Sequence, residues 1–314
     1  MRYRLSRQFL ACCGLLLLTL PFLRAQEPQR PVQIVDLHGN GLQVAPARSL
    51  VWEISGNQLP RPSYVFAILH QVPDDYFFLP ENITPLINAC DRLVMEIHPE
   101  EFVSDALYRS SVPLDSTLDR LLPRKDYEVL SAFVRDSLSA LAAYKLERRY
   151  APALIARQVI CDYCLGFKAG QEPVSYEYYL YQAVRKPLKV LSTGWTRHAS
   201  LESYTLQEQT ELLMHTFRQR QAQCETYHAI LRAYREQDLD RIWLLAKDAP
   251  DLGDNMNRYI DARNREWIKQ LMWNMQYESL FIAVHAVQLP GEYGLLHLLR
   301  KAGFEVRPVP LTVR

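Results

Sequence analysis

The sequence predicts an α/β fold: a central mixed sheet formed by N- and C-terminal βαβ segments, with a helical insertion between them. Three observations carry this expectation. Residues 49–98 read as strand, turn, strand, helix, strand, and residues 278–308 read as an apolar strand, a helix and a closing strand. The stretch between them, about 110–275, carries its apolar residues at helical rather than alternating spacing.

The chain has 314 residues, 48% hydrophobic and 23% charged, enough for one large domain or a domain with an inserted subdomain. Its first residues read as a leader. Arg2, Arg4 and Arg7 form a basic n-region, Phe9 to Leu23 is mostly apolar, and Ala25 offers a small residue before Gln26. A secretory signal peptide over 1–25 is therefore expected, with cleavage near Ala25 and the domain occupying 26–314. A membrane anchor is the competing reading, but the apolar run is short for a bilayer span. Cys12 invites a lipoprotein reading, yet most of the hydrophobic stretch follows it. No other run approaches a span, so no transmembrane segment is expected in the mature chain, which would be periplasmic or secreted. The leader holds four arginines and no acid, so its loss takes the formal charge from +1 to about −3. That excludes a basic field for nucleic acid.

Val32 to Leu37 and Leu42 to Val44 flank His38-Gly39-Asn40-Gly41, a hairpin signal at the edge of the sheet. Leu50, Trp52 and Ile54 alternate with Val51, Glu53 and Ser55 as the first strand of the central block. Tyr64 to Leu69 is an apolar strand that delivers His70 at its end. Ile83, Leu86, Ile87 and Cys90 follow at helical spacing, with Asn82 as a candidate cap, and Leu93-Val94-Met95 returns as a strand carrying Glu96. In a βαβ unit the parallel strands finish on one edge, which brings His70 and Glu96 to the same rim.

Within the helical stretch, Tyr127, Leu130, Phe133, Val134, Leu138, Leu141 and Tyr144 share one face. Leu188 to Leu191 reads as a returning strand, and helices are expected over Leu206 to Phe217, Tyr227 to Tyr234 and Asp254 to Trp273. Tyr176, Tyr178, Tyr179 and Tyr181 crowd one segment, read as partly buried packing rather than a ligand-stacking surface. The four cysteines outside the leader, Cys90, Cys161, Cys164 and Cys224, allow three full pairings. Cys161-Asp162-Tyr163-Cys164 lacks a second CxxC, a neighbouring histidine and a thioredoxin-type setting, so a structural disulfide is favoured over zinc or redox use. Gly291-Glu292 opens an expected helix from Glu292 to Ala302. No Gly-x-Ser-x-Gly, phosphate loop, His-Glu-x-x-His or Gly-x-Gly-x-x-Gly pattern occurs.

Trp-Glu-Ile-Ser-Gly-Asn from Trp52, Leu59-Pro60, Pro62-Ser63-Tyr64, His70 and Leu93-Val94-Met95-Glu96-Ile97 resemble the start of the TraB/PrgY/GumN family, which includes the Tiki proteins. At the other end, Ala262-Arg263-Asn264-Arg265-Glu266-Trp267, Phe281 to Val284 and Leu289 to Val306 resemble that family's ERN helix and closing segment. The resemblance spans most of residues 49–309 and is loosest in the middle. It implies a TraB/GumN-like fold and, as in Tiki-like members, a metal-dependent peptidase built on two Gly-x-x-His motifs and acids at strand ends. Imidazoles and carboxylates on adjacent strand tips can hold a divalent ion, here Mn, Co or Zn, which activates water and polarises a carbonyl.

Set against the family pattern, His70 and Glu96 are kept, while Ala67 stands in place of the first motif's glycine. Gln288 stands where the second motif has histidine, Ala262 replaces the ERN acid, and Ser192 stands at the place of a further acid. Arg263, Asn264 and Trp267 are kept. A neutral amide binds such ions weakly, and lost carboxylates remove the charge that offsets a cation. The candidate metal set is therefore His70, Glu96 and His285, with Glu96, Arg263 and Asn264 as the candidate catalytic set. His285 ends an apolar strand just as His70 does. It lies three residues before the family position, roughly 10 Å upstream at strand rise, so a loop rearrangement is expected to be needed. The competing reading has His70 and Glu96 bonding across strand tips and Arg263 and Asn264 tying a helix to the sheet edge. The sequence thus points to a degenerate metallo-hydrolase scaffold that binds a peptide or protein partner. An active hydrolase with a shifted ligand set is the alternative.

Overall fold

Six strands form one sheet in the order β4-β3-β5-β2-β1-β6: β1 Val51–Ser55, β2 Ser63–Ile68, β3 Arg92–Met95, β4 Leu188–Val190, β5 Leu280–His285 and β6 Glu305–Pro308. The computed structural model describes residues 48–70, 72–102, 117–147, 150–165, 174–192, 204–248 and 260–311. Strands β2, β5, β3 and β4 run parallel, and β1 is antiparallel to both of its neighbours, which makes the sheet mixed. The β1–β2 connection, residues 56–62, opens with a turn closed by the Leu59 N–H on the Gly56 carbonyl at 2.9 Å, in which Gly56 (φ 74°), Asn57 (φ 46°) and Gln58 (φ 62°) all take left-handed conformations, the first two being the types that do so most readily.

The two βαβ segments interlock. The first runs from β2 through α1 (Ile83–Ala89) to β3, but β5 lies between its strands and pairs with both. The second runs from β5 to β6 and passes over β2 and β1. All six residues of β5 are buried, and Leu280 to Val284 have no exposed surface, the pattern of a central parallel strand covered on both faces. The main core gathers this strand with Trp267, Tyr176, Tyr234 and Phe66, each almost fully buried.

The helical stretch is built from α2 (Leu118–Leu121), α3 (Arg124–Ser137), α4 (Ala140–Glu147), α5 (Pro152–Leu165), α6 (Tyr176–Ala183), α7 (Leu206–Arg218), α8 (Arg220–Arg235), α9 (Leu239–Lys247) and α10 (Ala262–Met275). Short β4 returns to the sheet between α6 and α7. A second apolar core holds α2 to α5 with α7 and the start of α8. Cys164 on α5 and Cys224 on α8 form a disulfide within it, so the Cys161-x-x-Cys164 cysteines are not bonded to each other. Cys90 is a free buried thiol, and burial pushes its pKa up.

Several sequence expectations are revised. The single face from Tyr127 to Tyr144 is broken at Ser139, whose N–H (3.0 Å) and hydroxyl both donate to the Asp162 carboxylate, and whose oxygen accepts the Ala142 N–H. Asn82 precedes α1 but does not cap it: its backbone is helical (φ −82°, ψ 0°) rather than extended, no first-turn N–H reaches its side-chain oxygen, and its amide nitrogen donates to the Pro310 carbonyl. The closing helix α11 (Leu295–Lys301) begins three residues later than expected, after a turn at Gly291 and Gly294. The hairpin expected over residues 32–44, the leader and residues 254–259 of the helix expected from Asp254 lie outside the described residues. No helix among the described residues is long and apolar enough to cross a membrane.

Candidate functional site

Three adjacent parallel strands end together on one edge of the sheet and deliver the candidate residues there. His70 follows β2 by two residues, His285 is the last residue of β5, and Glu96 follows β3 directly. All three are buried, at 7%, 6% and 2% exposure. In register, His285 pairs with Ile68, and its ring lies 4.6 Å from that of His70, centroid to centroid. No loop rearrangement is needed to bring His285 in. His285 lies upstream only along its own strand, and the neighbouring β2 ends at a matching level.

The Glu96 carboxylate is bound on both oxygens. Oε1 accepts the His285 backbone N–H at 2.7 Å, and Oε2 accepts from Arg263 Nη2 at 2.8 Å. Burial alone would push this carboxyl up. The Arg263 guanidinium foremost, then His70, His285 and the His285 N–H, outweigh it and hold the group down at about 2. Arg263 is the second residue of α10 and lies over the Trp267 ring, 4.4 Å from its centroid. Trp267 in turn donates its indole N–H to Ser192 Oγ at 2.9 Å, and the Ser192 N–H donates to the Glu96 carbonyl at 2.8 Å. The serine at the expected acid position therefore holds the ring that carries the guanidinium.

Asn264, fully buried, fixes the far side. Its amide nitrogen donates to the carbonyls of Gln288 (2.9 Å) and Tyr293 (2.8 Å), which ties α10 to the turn after β5. Asn264 Oδ1 and Gln288 Oε1 are buried and have no hydrogen-bond partner among the described residues. Gln288 ends a 3-10 turn, Ala286–Gln288, capped by His285, whose Nδ1 accepts the Val287 N–H at 3.4 Å.

One member of the cluster was missed by sequence reasoning. Glu177, 1% exposed, places its carboxylate against His70 Nδ1. It stands on α6 among Tyr176 and Leu180, both fully buried. A lone acid on an otherwise apolar helix face is a signal that could have marked it. The tyrosines around it divide: Tyr176 is enclosed, with its hydroxyl donating to the Phe78 carbonyl at 2.7 Å and burial raising it to about 12, whereas Tyr179 is exposed. Among the other histidines, His228 bonds the Cys164 carbonyl at 3.2 Å.

The divalent ion implied by the resemblance would have to be held by His70, Glu96 and His285, with Glu177 within reach of the set. As arranged, several of their ligating atoms already face protein partners, His285 Nδ1 among them. Glu96 is bound on both oxygens, His70 Nδ1 faces Glu177, and no group of three His, Cys, Asp or Glu side chains among the described residues is disposed to hold a metal. The donor set does not fit such an ion without moving Arg263, whose fixed positive charge already offsets Glu96.

No curated protein and no solved structure matches the chain at a significant level. A family model, described as TraB/PrgY/gumN family, matches residues 50–308, which takes in every strand and each residue of the cluster. The match spans most of the sequence, and the chain belongs to the TraB/PrgY/gumN family.

Proposed function

We propose that this chain is an exported member of the family whose hydrolase-like sheet edge serves as a binding cleft for a peptide or protein partner, with weak or no catalysis. The observation that carries this reading is the saturation of Glu96. A carboxylate that accepts a guanidinium on one oxygen and a backbone N–H on the other, with its pKa held at about 2, is a poor general base and has little capacity left for a cation. Gln288 and Ala262, standing where the family pattern has a histidine and an acid, remove further donors. The buried acceptors Asn264 Oδ1 and Gln288 Oε1 suit a ligand's N–H or O–H groups, or water. Export is supported by the leader-like first 25 residues and by the Cys164–Cys224 disulfide, which belongs to an oxidising compartment.

The second reading, an active metal-dependent peptidase or hydrolase with a shifted site, has one observation in its favour. His70, His285 and Glu96 do meet at one rim, with Glu177 beside them. Calorimetric titration of the chain with Mn²⁺, Co²⁺ and Zn²⁺, beside His70→Ala, separates the two. The expected outcome is no stoichiometric binding at micromolar concentration and no cleavage of a peptide panel with metal added. Micromolar binding abolished by His70→Ala, with metal-dependent cleavage, establishes the second reading instead.

A further inference from the structure

Beside the histidine cluster, on the same edge of the sheet, lies a cleft of about 310 Å³, at the small end of ligand sites. Its place follows from topology. Strand β1 runs against β2, so Ser49 and Trp52 near its start lie toward the end of β2 that leads to His70, and the Ala67 N–H donates to the Leu50 carbonyl at 2.7 Å. The opposite wall is Leu289, Pro290 and Gly291, which continue directly from the turn that holds Gln288. None of His70, Glu96, Arg263 or His285 lines it.

Two guanidiniums reach this cleft, and they differ. Arg48 is paired with Asp238 at 3.0 Å. Arg300 has no carboxylate partner among the described residues. It lies over the Trp52 ring, 5.3 Å from the centroid, and its Nη2 donates to the Val306 carbonyl at 3.2 Å. Trp52 is itself held, its indole N–H donating to the Ser49 carbonyl at 3.0 Å. An unpaired guanidinium fixed by a ring and a carbonyl keeps its remaining N–H donors in a planar array that matches a carboxylate. Leu289, Pro290 and Leu296 supply apolar wall for the rest of such a ligand. Asp238 and Asp240 also line the cleft, so its two guanidiniums leave no excess positive charge for a dianion, which disfavours phosphate.

We propose that this cleft binds a small ligand with a free carboxylate, of about the size of a di- or tripeptide, and that Arg300 receives the carboxylate. The inference rests on the reading of this edge as a binding cleft and gives it a location and a ligand class. The test is a calorimetric and tryptophan-fluorescence titration of the chain in EDTA with three probes: trialanine, trialanine C-terminal amide and inorganic phosphate. The same titrations are run on Arg300→Gln, whose fold is checked by its thermal melt, and on Leu296→Trp, which fills the cleft. Expected is binding of trialanine that weakens about tenfold or more for the amide and for Arg300→Gln, the loss of one charge-assisted pair. Leu296→Trp abolishes it, and phosphate does not compete. Equal binding of acid and amide, an unaffected Arg300→Gln, tighter binding of phosphate, or no binding of any probe overturns the proposal. Because metal is chelated throughout, discovery of a metal-dependent hydrolase would overturn the reading above without deciding this test. Equal binding of acid and amide, blocked by Leu296→Trp, would sink the carboxylate inference alone.

Discussion

Glu96 shows how a buried carboxylate can be kept charged by groups of the chain itself. The Arg263 guanidinium and the His285 N–H supply in the folded chain what water supplies in the unfolded one. Its folded pKa, about 2, lies below the ordinary 4.5. The stabilisation is therefore fully present above the unfolded value and is lost as pH falls from about 4.5 through 2, about 3 kcal/mol in all. Urea unfolding at pH 6 and pH 2 measures it: the stability advantage of the wild type over Glu96→Gln should shrink by about that amount at the lower pH, and a constant difference would contradict the assignment. At this scale the sequence was informative but incomplete. His70, Glu96 and His285 were legible as strand-end residues because period-two runs stop at them. Glu177 was not, because its partner His70 comes from a strand more than a hundred residues earlier, and helical spacing says nothing of what a face will meet. Asn264 reads from the sequence both as a candidate catalytic residue and as a helix-to-edge tie, and its amide nitrogen makes the tie, bonding the Gln288 and Tyr293 carbonyls.

Among the elements, α5 and α8 are held in two ways, by the second apolar core and by the disulfide between Cys164 and Cys224. The bond closes a loop of 60 residues in the unfolded chain. Its loss in Cys224→Ser should lower stability by about 4 kcal/mol, on the loop-entropy account. Guanidinium unfolding checks this. Cys161 is disulfide-bonded as well, so reducing agent should act on both proteins but destabilise the wild type more than the variant, and equal sensitivity of both would refute the assignment. The even cysteine count suggested one of three full pairings, and none of them forms, because Cys90 is a free buried thiol; which cysteines bond depends on which helices pack together. Element ends were legible where chemistry marks them. Thr205 and Glu208 form a reciprocal capping box at the start of α7, which begins at Leu206 as its pattern indicates. The late start of α11 had a subtler cause. A Cβ on Gly294 would lie 2.1 Å from the Pro290 carbonyl oxygen, so the chain must first turn tightly back on itself.

For the whole molecule, the sheet's composition was legible and its order was not. Apolar runs identify the strands, and a crossover helix implies that flanking strands are parallel, but neither says whether another strand will lie between them. Strand β5 takes that place and is in register with β2 on one side and β3 on the other. It is the member through which the two halves of the sheet communicate, and Phe281, fully buried within it, packs 6.2 Å from Phe66, centroid to centroid. Phe281→Ala should cost about 3 to 5 kcal/mol in denaturant unfolding. A loss below about 1 kcal/mol would show that the sheet does not depend on this strand's packing.

The position of β5 also bears on how the chain is made. Strands β1, β2 and β3 leave the ribosome early, yet β2 and β3 have no shared neighbour until Leu280 emerges. At ordinary rates of synthesis that interval lasts roughly 10 to 40 s. Throughout it the nascent chain carries apolar strands with unpaired edges, open to wrong pairing and attractive to holdase chaperones. A polypeptide stopped short of β5 would retain the first hairpin without its parallel neighbours, a natural substrate for quality-control proteolysis.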